Sequence, residues 1–228
     1  MGWIVPFSGG KDSTATIIVM LENKITIDKI VHVRMMATES IYATHQIMVD
    51  FVDDCMARFI SLGLNVEIIR SIPFDSFAKK IFKKSKYEDR IGKNYGFTSC
   101  MRRMCSFQKE KVRCCATERS NTMLGICYDE PERMRPGIHS ILFEKKITQS
   151  MSFDICKRHG MLSPLYGMGI KRDGCFFCPN ASKKERKFLN NEQLKLIDTW
   201  ARMTPKSSCM QEDWRFRLEE INIQQELF

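Results

Sequence analysis

The chain has 228 residues, 43% hydrophobic, 28% charged and 10% aromatic, enough apolar material for one sizeable core and unlike the composition of a disordered chain. Its 36 Lys and Arg against 27 Asp and Glu give a formal charge of +9, which favours a polyanionic partner such as nucleotide, RNA or DNA without establishing one. No apolar run approaches the ~20 residues of a membrane span, Pro6 stands where a myristoylation signal needs Ser or Thr, and no charged-then-apolar leader opens the chain; a soluble, cytoplasmic protein with reduced cysteines is expected.

In chain order, Trp3 to Phe7 reads as a buried strand, Ser8-Gly9-Gly10 as a tight turn and Ser13 to Leu21 as a helix. Lys29 to Arg34 predicts a second strand. Thr44 to Leu62 predicts a helix, because Ile47, Phe51, Cys55, Phe59 and Leu62 recur at spacings of 3 and 4, and Gly63 stops it. Val66 to Ile69 reads as a third strand and Phe74 to Phe82 as a short helix. That helix runs into Lys79, Lys80, Lys83, Lys84 and Lys86, a charge run that reads as a solvated face. Short apolar runs alternating with helical patterns predict a parallel sheet covered by helices. Beyond residue 90 the pattern loosens into a helix around Cys105 to Cys115, strands at Thr122 to Gly125 and Ile138 to Phe143, and a Gly-rich segment from Gly160 to Gly174, where site-building loops are expected. A final amphipathic helix from Lys183 to Met203 carries Phe188, Leu189, Leu194, Ile197 and Trp200. There is no internal repeat and no low-complexity tract.

Ser8-Gly9-Gly10-Lys11-Asp12-Ser13 lies between the first strand and the first helix. Two glycines let backbone approach a phosphate, and the helix N-terminus directs free N–H groups and the positive end of its dipole at the anion. The hydroxyls of Ser8 and Ser13 and the Lys11 ammonium add donors. Val5 and Asp12 stand where a Walker A loop needs Gly and Ser or Thr, so the loop is of another kind.

SGGKDS after the first strand resembles the PP-loop of the N-type ATP pyrophosphatase, or adenine nucleotide alpha hydrolase, superfamily. Three further segments resemble its PAPS reductase-like family. They are Gly125 with Asp129, Glu130 and Arg133 at a strand end; Cys105 with Lys109 at a helix start; and Ser163-Pro164-Leu165-Tyr166 followed by Gly174-Cys175-Phe176-Phe177-Cys178-Pro179. The resemblance spans roughly residues 3 to 182. It implies an α/β fold with a doubly wound, Rossmann-type parallel sheet and nucleotide over the carboxyl ends of the strands. A small C-terminal cysteine knuckle would follow, with residues 183–228 as a helical extension packed on the 1–182 domain. The sequence departs from the family in three places. It finishes NIQQELF without the Cys-containing tail of the reductases, Met104 stands where the iron–sulfur branch has the first of a Cys pair, and Arg34-Met35-Met36-Ala37-Thr38 replaces Asp-Thr-Gly after the second strand.

Cys175 and Cys178, flanked by Gly174 and Pro179, read as a knuckle in which two thiolates can face one metal, with a thioredoxin-like redox pair as the rival reading that Pro179 argues against. By resemblance Cys105 is the third ligand, and by proximity Cys100 the fourth, with Cys114, Cys115 or Cys127 as replacements; the all-sulfur set leaves a [4Fe-4S] cluster and Zn2+ open. Cys55, Cys156 and Cys209 read as small buried hydrophobes. Arg102, Arg103, Lys109, Lys111 and Arg113 crowd the Cys105 helix, and Lys171 and Arg172 precede the knuckle; both groups would flank a nucleotide site.

The resemblance implies ATP, or PAPS, held by Ser8, Gly9, Gly10, Lys11, Asp12, Ser13, Gly125, Asp129 and Glu130. Mg2+ would sit on the phosphates with help from Asp12 or Asp129, and Lys11, Asp12 and Arg133 would be catalytic. The expected reaction adenylates an acceptor and releases pyrophosphate, with sulfur transfer to a nucleotide or nucleic acid as one outcome. A PAPS reductase that makes sulfite is the first alternative, and a non-catalytic nucleic-acid-binding metal knuckle the second. The partners implied are an adenine nucleotide and a nucleotide or nucleic-acid acceptor, no membrane, with a homodimer left open.

Overall fold

The computed structural model describes residues 2–96, 121–170, 174–178, 185 and 188–204. The fold is α/β, with a three-stranded parallel sheet and six helices among these residues. The chain divides into two compact units, one of residues 1–34, 46–70 and 109–173, the other of residues 35–45, 71–108 and 174–228. No helix among the described residues is long and apolar enough to cross a membrane.

The first unit opens with β1 (Trp3–Phe7), α1 (Lys11–Glu22), β2 (Ile27–Arg34), α2 (Gln46–Ser61) and β3 (Val66–Arg70). β1 pairs with β2 and β2 with β3, both parallel, with Phe7 opposite His32 and Arg34 opposite Arg70. On the free side of β1, Ile4 makes a parallel bridge to Thr122, and Met123 a parallel bridge to His139. α4 (Ile141–Glu144) and α5 (Gln149–Arg158) complete the unit. α1 is buried from Ser13 through Met20, on every face. Its hydroxyls therefore bond backward along the helix, Thr14 Oγ1 to Gly10 O at 3.0 Å and Thr16 Oγ1 to Asp12 O at 2.8 Å, because no water reaches them. Val5, Phe7, Ile17, Met20, Met48, Val52, Phe59 and Leu142 lie in the same apolar core.

In the second unit, α3 (Phe74–Ala78) and α6 (Asn191–Met203) bring together an aromatic group. Phe74 meets Phe177 at 4.3 Å and Trp200 at 4.8 Å between ring centres, and Phe177 meets Trp200 edge-on at 5.2 Å. The Trp200 indole N–H donates to Asp75 Oδ1 at 3.0 Å, which satisfies the polar end of a fully buried side chain. The amides of Phe74 and Asp75 donate to the carbonyls of Met36 and Ala37, and that of Phe176 to Ala43 O.

Three sequence expectations change. Ile138 to Phe143 is not a strand: only His139 bridges, since Ser140 caps a helix by accepting the Phe143 amide on its hydroxyl. The helix from Phe74 ends at Ala78, and Phe82 leaves the helical path because its amide donates to Lys93 O at 2.9 Å. The expected last helix is interrupted at 188–190, and its final stretch starts afresh at Asn191, where Asn190 and Gln193 close a reciprocal capping box. Thr122 to Gly125 contributes two bridging residues, and the expected Cys105 to Cys115 helix lies outside the described residues.

Phe59, 1% exposed and edge-on to Phe7 at 5.3 Å, anchors α2 to the sheet. Phe59→Ala is expected to cost about 3–5 kcal/mol, read as a lowered urea midpoint.

Candidate functional site

The hexapeptide Ser8 to Ser13 forms the bend between β1 and α1. Gly9 sits at φ +79°, and a Cβ there would lie 2.7 Å from Val52 Cγ2, so both conformation and space demand glycine. Gly10 precedes the helix in extended conformation without a side-chain cap. The two serines shape the loop from inside: Ser13 Oγ donates to Gly10 O at 2.9 Å and accepts the Ser8 amide at 3.2 Å, while Ser8 Oγ accepts the Gly10 amide at 3.3 Å. The first backward bond of α1 runs from Thr14 N to Gly10 O, so the amides of Asp12 and Ser13 have no partner within the helix.

Lys11 occupies the first helical position, where the dipole opposes a cation. Its ammonium is held by Asp12 Oδ1 at 2.6 Å and reaches Gln149 Oε1 at 3.5 Å. Burial lowers the Lys11 pKa, but the Asp12 hydrogen bond and charge outweigh it and the net shift is upward. A cation at a helix N-terminus, beside amides without an intrahelical partner, suits an anion, and here the Asp12 carboxylate holds it.

The segment after Met123 packs against this loop. A Cβ on Gly125 would stand 2.8 Å from Asp12 C, 2.9 Å from Asp12 O and 2.9 Å from Ser13 N, all backbone atoms. The Cys127 thiol, fully buried, donates to Asp12 Oδ1 at 3.1 Å and lies 3.3 Å from Ser152 Oγ. The Cys127 amide donates to Glu130 Oε2 at 3.3 Å, and Arg133 forks onto both Glu130 oxygens at 2.8 Å. One ligand atom each from Asp12, Cys127 and Glu130 all fall within 4.8 Å of one another. The loop is thus joined to the strand-end segment through a chain of contacts from Lys11 through Asp12, Cys127 and Glu130 to Arg133.

Burial pushes the Cys127 thiol up to about 12, with Ser152 pulling the other way and Asp12 adding to the rise. The sulfur is therefore a protonated donor at neutral pH, and the ligands left for a hard cation are the two carboxylates. Asp129 points elsewhere: its Oδ1 accepts the Gln149 amide at 3.0 Å, at the start of α5. Cys156, on the same helix, donates to Lys11 O at 3.1 Å. Burial raises the Tyr166 hydroxyl above its ordinary value, against the downward pull of the Lys11 charge and backbone N–H.

Of the expected site residues, Ser8, Gly9, Gly10, Lys11, Asp12, Ser13, Gly125 and Glu130 come together, with Arg133 attached through Glu130. Cys127 enters as a partner of Asp12. Gln149, Ser152, Cys156 and Tyr166 carried no functional expectation. The first three lie on α5, whose sequence signal was the Thr148 cap and the spacing of four between Ser152 and Cys156. In the second unit, Cys175 is buried, Cys178 half-buried, and the Cys178 amide closes a turn onto Cys175 O at 2.8 Å. Cys100, Cys105, Arg102, Arg103, Lys109, Lys111, Arg113, Cys114, Cys115, Lys171, Arg172, Pro179 and Cys209 lie outside the described residues.

Two outcomes follow from this geometry. Gly125→Ala is expected to destabilise by about 1–3 kcal/mol, because neither backbone can yield freely, measured by chemical denaturation. Cys55, Cys127 and Cys156 are each raised from 9.0 to about 12, chiefly by burial, so folding favours their protonated forms. That contribution is whole below pH 9 and is lost as pH climbs towards 12, at up to about 1.4 kcal/mol per pH unit and thiol. Denaturation midpoints between pH 8 and pH 11 should fall with pH, and less steeply in Cys55→Ala. No family model matches the chain, and no curated protein matches it significantly.

Proposed function

We propose that the chain is a PP-loop enzyme of the PAPS reductase-like kind, which binds ATP and adenylates an acceptor with release of pyrophosphate. The observation that carries this reading is the contact between the β1–α1 loop and the strand-end segment. It gathers two amides without an intrahelical partner, one lysine, one arginine and two carboxylates, the groups that a metal–polyphosphate uses. The doubly wound sheet belongs to the same proposal. The parallel bridges from Ile4 to Thr122 and from Met123 to His139 support it, since they extend the sheet on the side of β1 away from β2.

In this reading the phosphates lie on Ser8 to Ser13. An acceptor oxygen displaces pyrophosphate at the α-phosphorus, and Lys11 with the amides of Asp12 and Ser13 takes up the charge of the leaving group. Arg133 is a second phosphate cation, stored on Glu130 at 2.8 Å until an anion competes for it. Asp12 and Glu130 would hold Mg2+, which supplies charge neutralisation on the phosphates when bound. The Cys127 proton keeps Asp12 Oδ1 oriented. Cys175 and Cys178 would contribute two thiolates to a zinc or iron–sulfur centre, completed by Cys100 and Cys105 as the resemblance implies.

Titration with ATP and Mg2+ by calorimetry tests the binding step, and a coupled assay for pyrophosphate the reaction. Lys11→Ala should lower pyrophosphate release by about a hundredfold and weaken ATP binding. Equal ATP affinity in wild type and Lys11→Ala, or sulfite made from PAPS and a dithiol with no pyrophosphate from ATP, would remove the adenylation reading.

A further inference from the structure

We propose that residues 79–93 form a docking surface for single-stranded nucleic acid. This inference goes beyond the nucleotide site and uses none of its residues. The segment carries Lys79, Lys80, Lys83, Lys84, Lys86, Arg90 and Lys93 against Glu88 and Asp89, a net +5 within 15 residues of a chain whose whole charge is +9. In sequence such a run reads as a solvated face. The structure adds two features that a merely solvated run does not need.

The first is a fixed backbone. The segment folds back on itself, with the Phe82 amide donating to Lys93 O at 2.9 Å, the Gly92 amide to Phe82 O at 3.0 Å and the Tyr95 amide to Lys80 O at 2.7 Å. Phe82 is buried, and its ring meets Tyr95 at 4.2 Å between centres. The lysines at 79, 80, 83, 84, 86 and 93 are all exposed on this pinned scaffold. Among the described residues, Lys79 has Asp75 at 2.5 Å, whereas Lys83, Lys84 and Lys93 have no carboxylate partner. Holding like charges together raises the energy of the fold, and a bound polyanion offsets it.

The second feature is aromatic. Tyr87 is 42% exposed, with Lys86 Nζ 5.0 Å and the Arg90 guanidinium carbon 4.3 Å from its ring centre, and Lys80 Nζ lies 4.2 Å from the Phe77 ring. Cations interleaved with an exposed ring are the combination that single strands use, phosphates on the lysines and a base on the ring or guanidinium plane. An anionic membrane is the weaker fit. Ile81 and Ile91 are the exposed large aliphatic side chains of the segment, and its helical turn is the three-residue Glu88–Arg90, too short for the amphipathic helix that lies in a bilayer surface.

Binding of a labelled single-stranded RNA of about 20 nucleotides to the full chain, without ATP, tests this apart from turnover. Affinity should fall steeply with salt. Lys83→Ala/Lys84→Ala/Lys93→Ala should weaken binding about tenfold or more and reduce the log–log salt slope by about 2. Tyr87→Leu should weaken it about fivefold or more at unchanged slope, and Tyr87→Phe should retain it. Lys145→Ala/Lys157→Ala/Lys195→Ala removes three exposed cations elsewhere and should leave affinity within about twofold; circular dichroism checks that all variants fold. The proposal is overturned if this control triple loses as much as the segment triple, if Tyr87→Leu binds like wild type, or if vesicles of phosphatidylserine and phosphatidylcholine, rather than RNA, are held through the segment.

Discussion

Asp12 Oδ1 is the atom on which the candidate site turns. It accepts from the Lys11 ammonium within its own helix turn and from the Cys127 thiol 115 residues away in sequence. A carboxylate this close to a sulfur favours the protonated thiol, and burial favours it further, pushing the thiol up to about 12. The same burial that packs Cys127 into the core therefore makes it a hydrogen-bond donor and keeps a second negative charge away from Asp12. One desolvated proton thus joins the packing of the core to the geometry of the loop.

Around that atom the charges balance in pairs. Lys11 sits on Asp12, and Arg133 on Glu130. Each cation is held on a carboxylate, so neither charge at the loop is left uncompensated. The backbone amides of α1 add donors that need no reorganisation. Gly125 sets how closely the two segments approach, since its missing side chain is what lets the 124–130 stretch lie against the backbone of Asp12 and Ser13.

The two units present positive charge in different ways. At the loop of the first unit two cations, Lys11 and Arg133, are each matched to an acid at short range, an arrangement for a compact ligand with localised charge. In the second, the lysines from 79 to 93 are exposed, spread along a folded-back strip and mostly without acidic partners among the described residues, an arrangement for an extended polyanion. An adenylating centre on one unit and a strand-binding strip on the other would give the excess of +9 two distinct tasks.

What the sequence determined by itself was local: the strand, glycine bend and helix of residues 3–22, the strands at β2 and β3, and α2 by its apolar spacing. Each is set by backbone conformation and periodicity within a few residues, and the glycine at position 9 marked its turn openly. Only the tertiary structure decided that Thr122 lies beside Ile4, that Cys127 reaches Asp12, and that α5 brings Gln149, Ser152 and Cys156 to the loop. It also decided that 138–143 is a bridge and a capped helix and that 79–93 doubles back, because in both places a hydroxyl or carbonyl partner outbids the local preference. Contacts between residues more than a hundred positions apart leave no period and no turn signature in the chain. They exist because burying two apolar surfaces together fixes which polar atoms must then find each other.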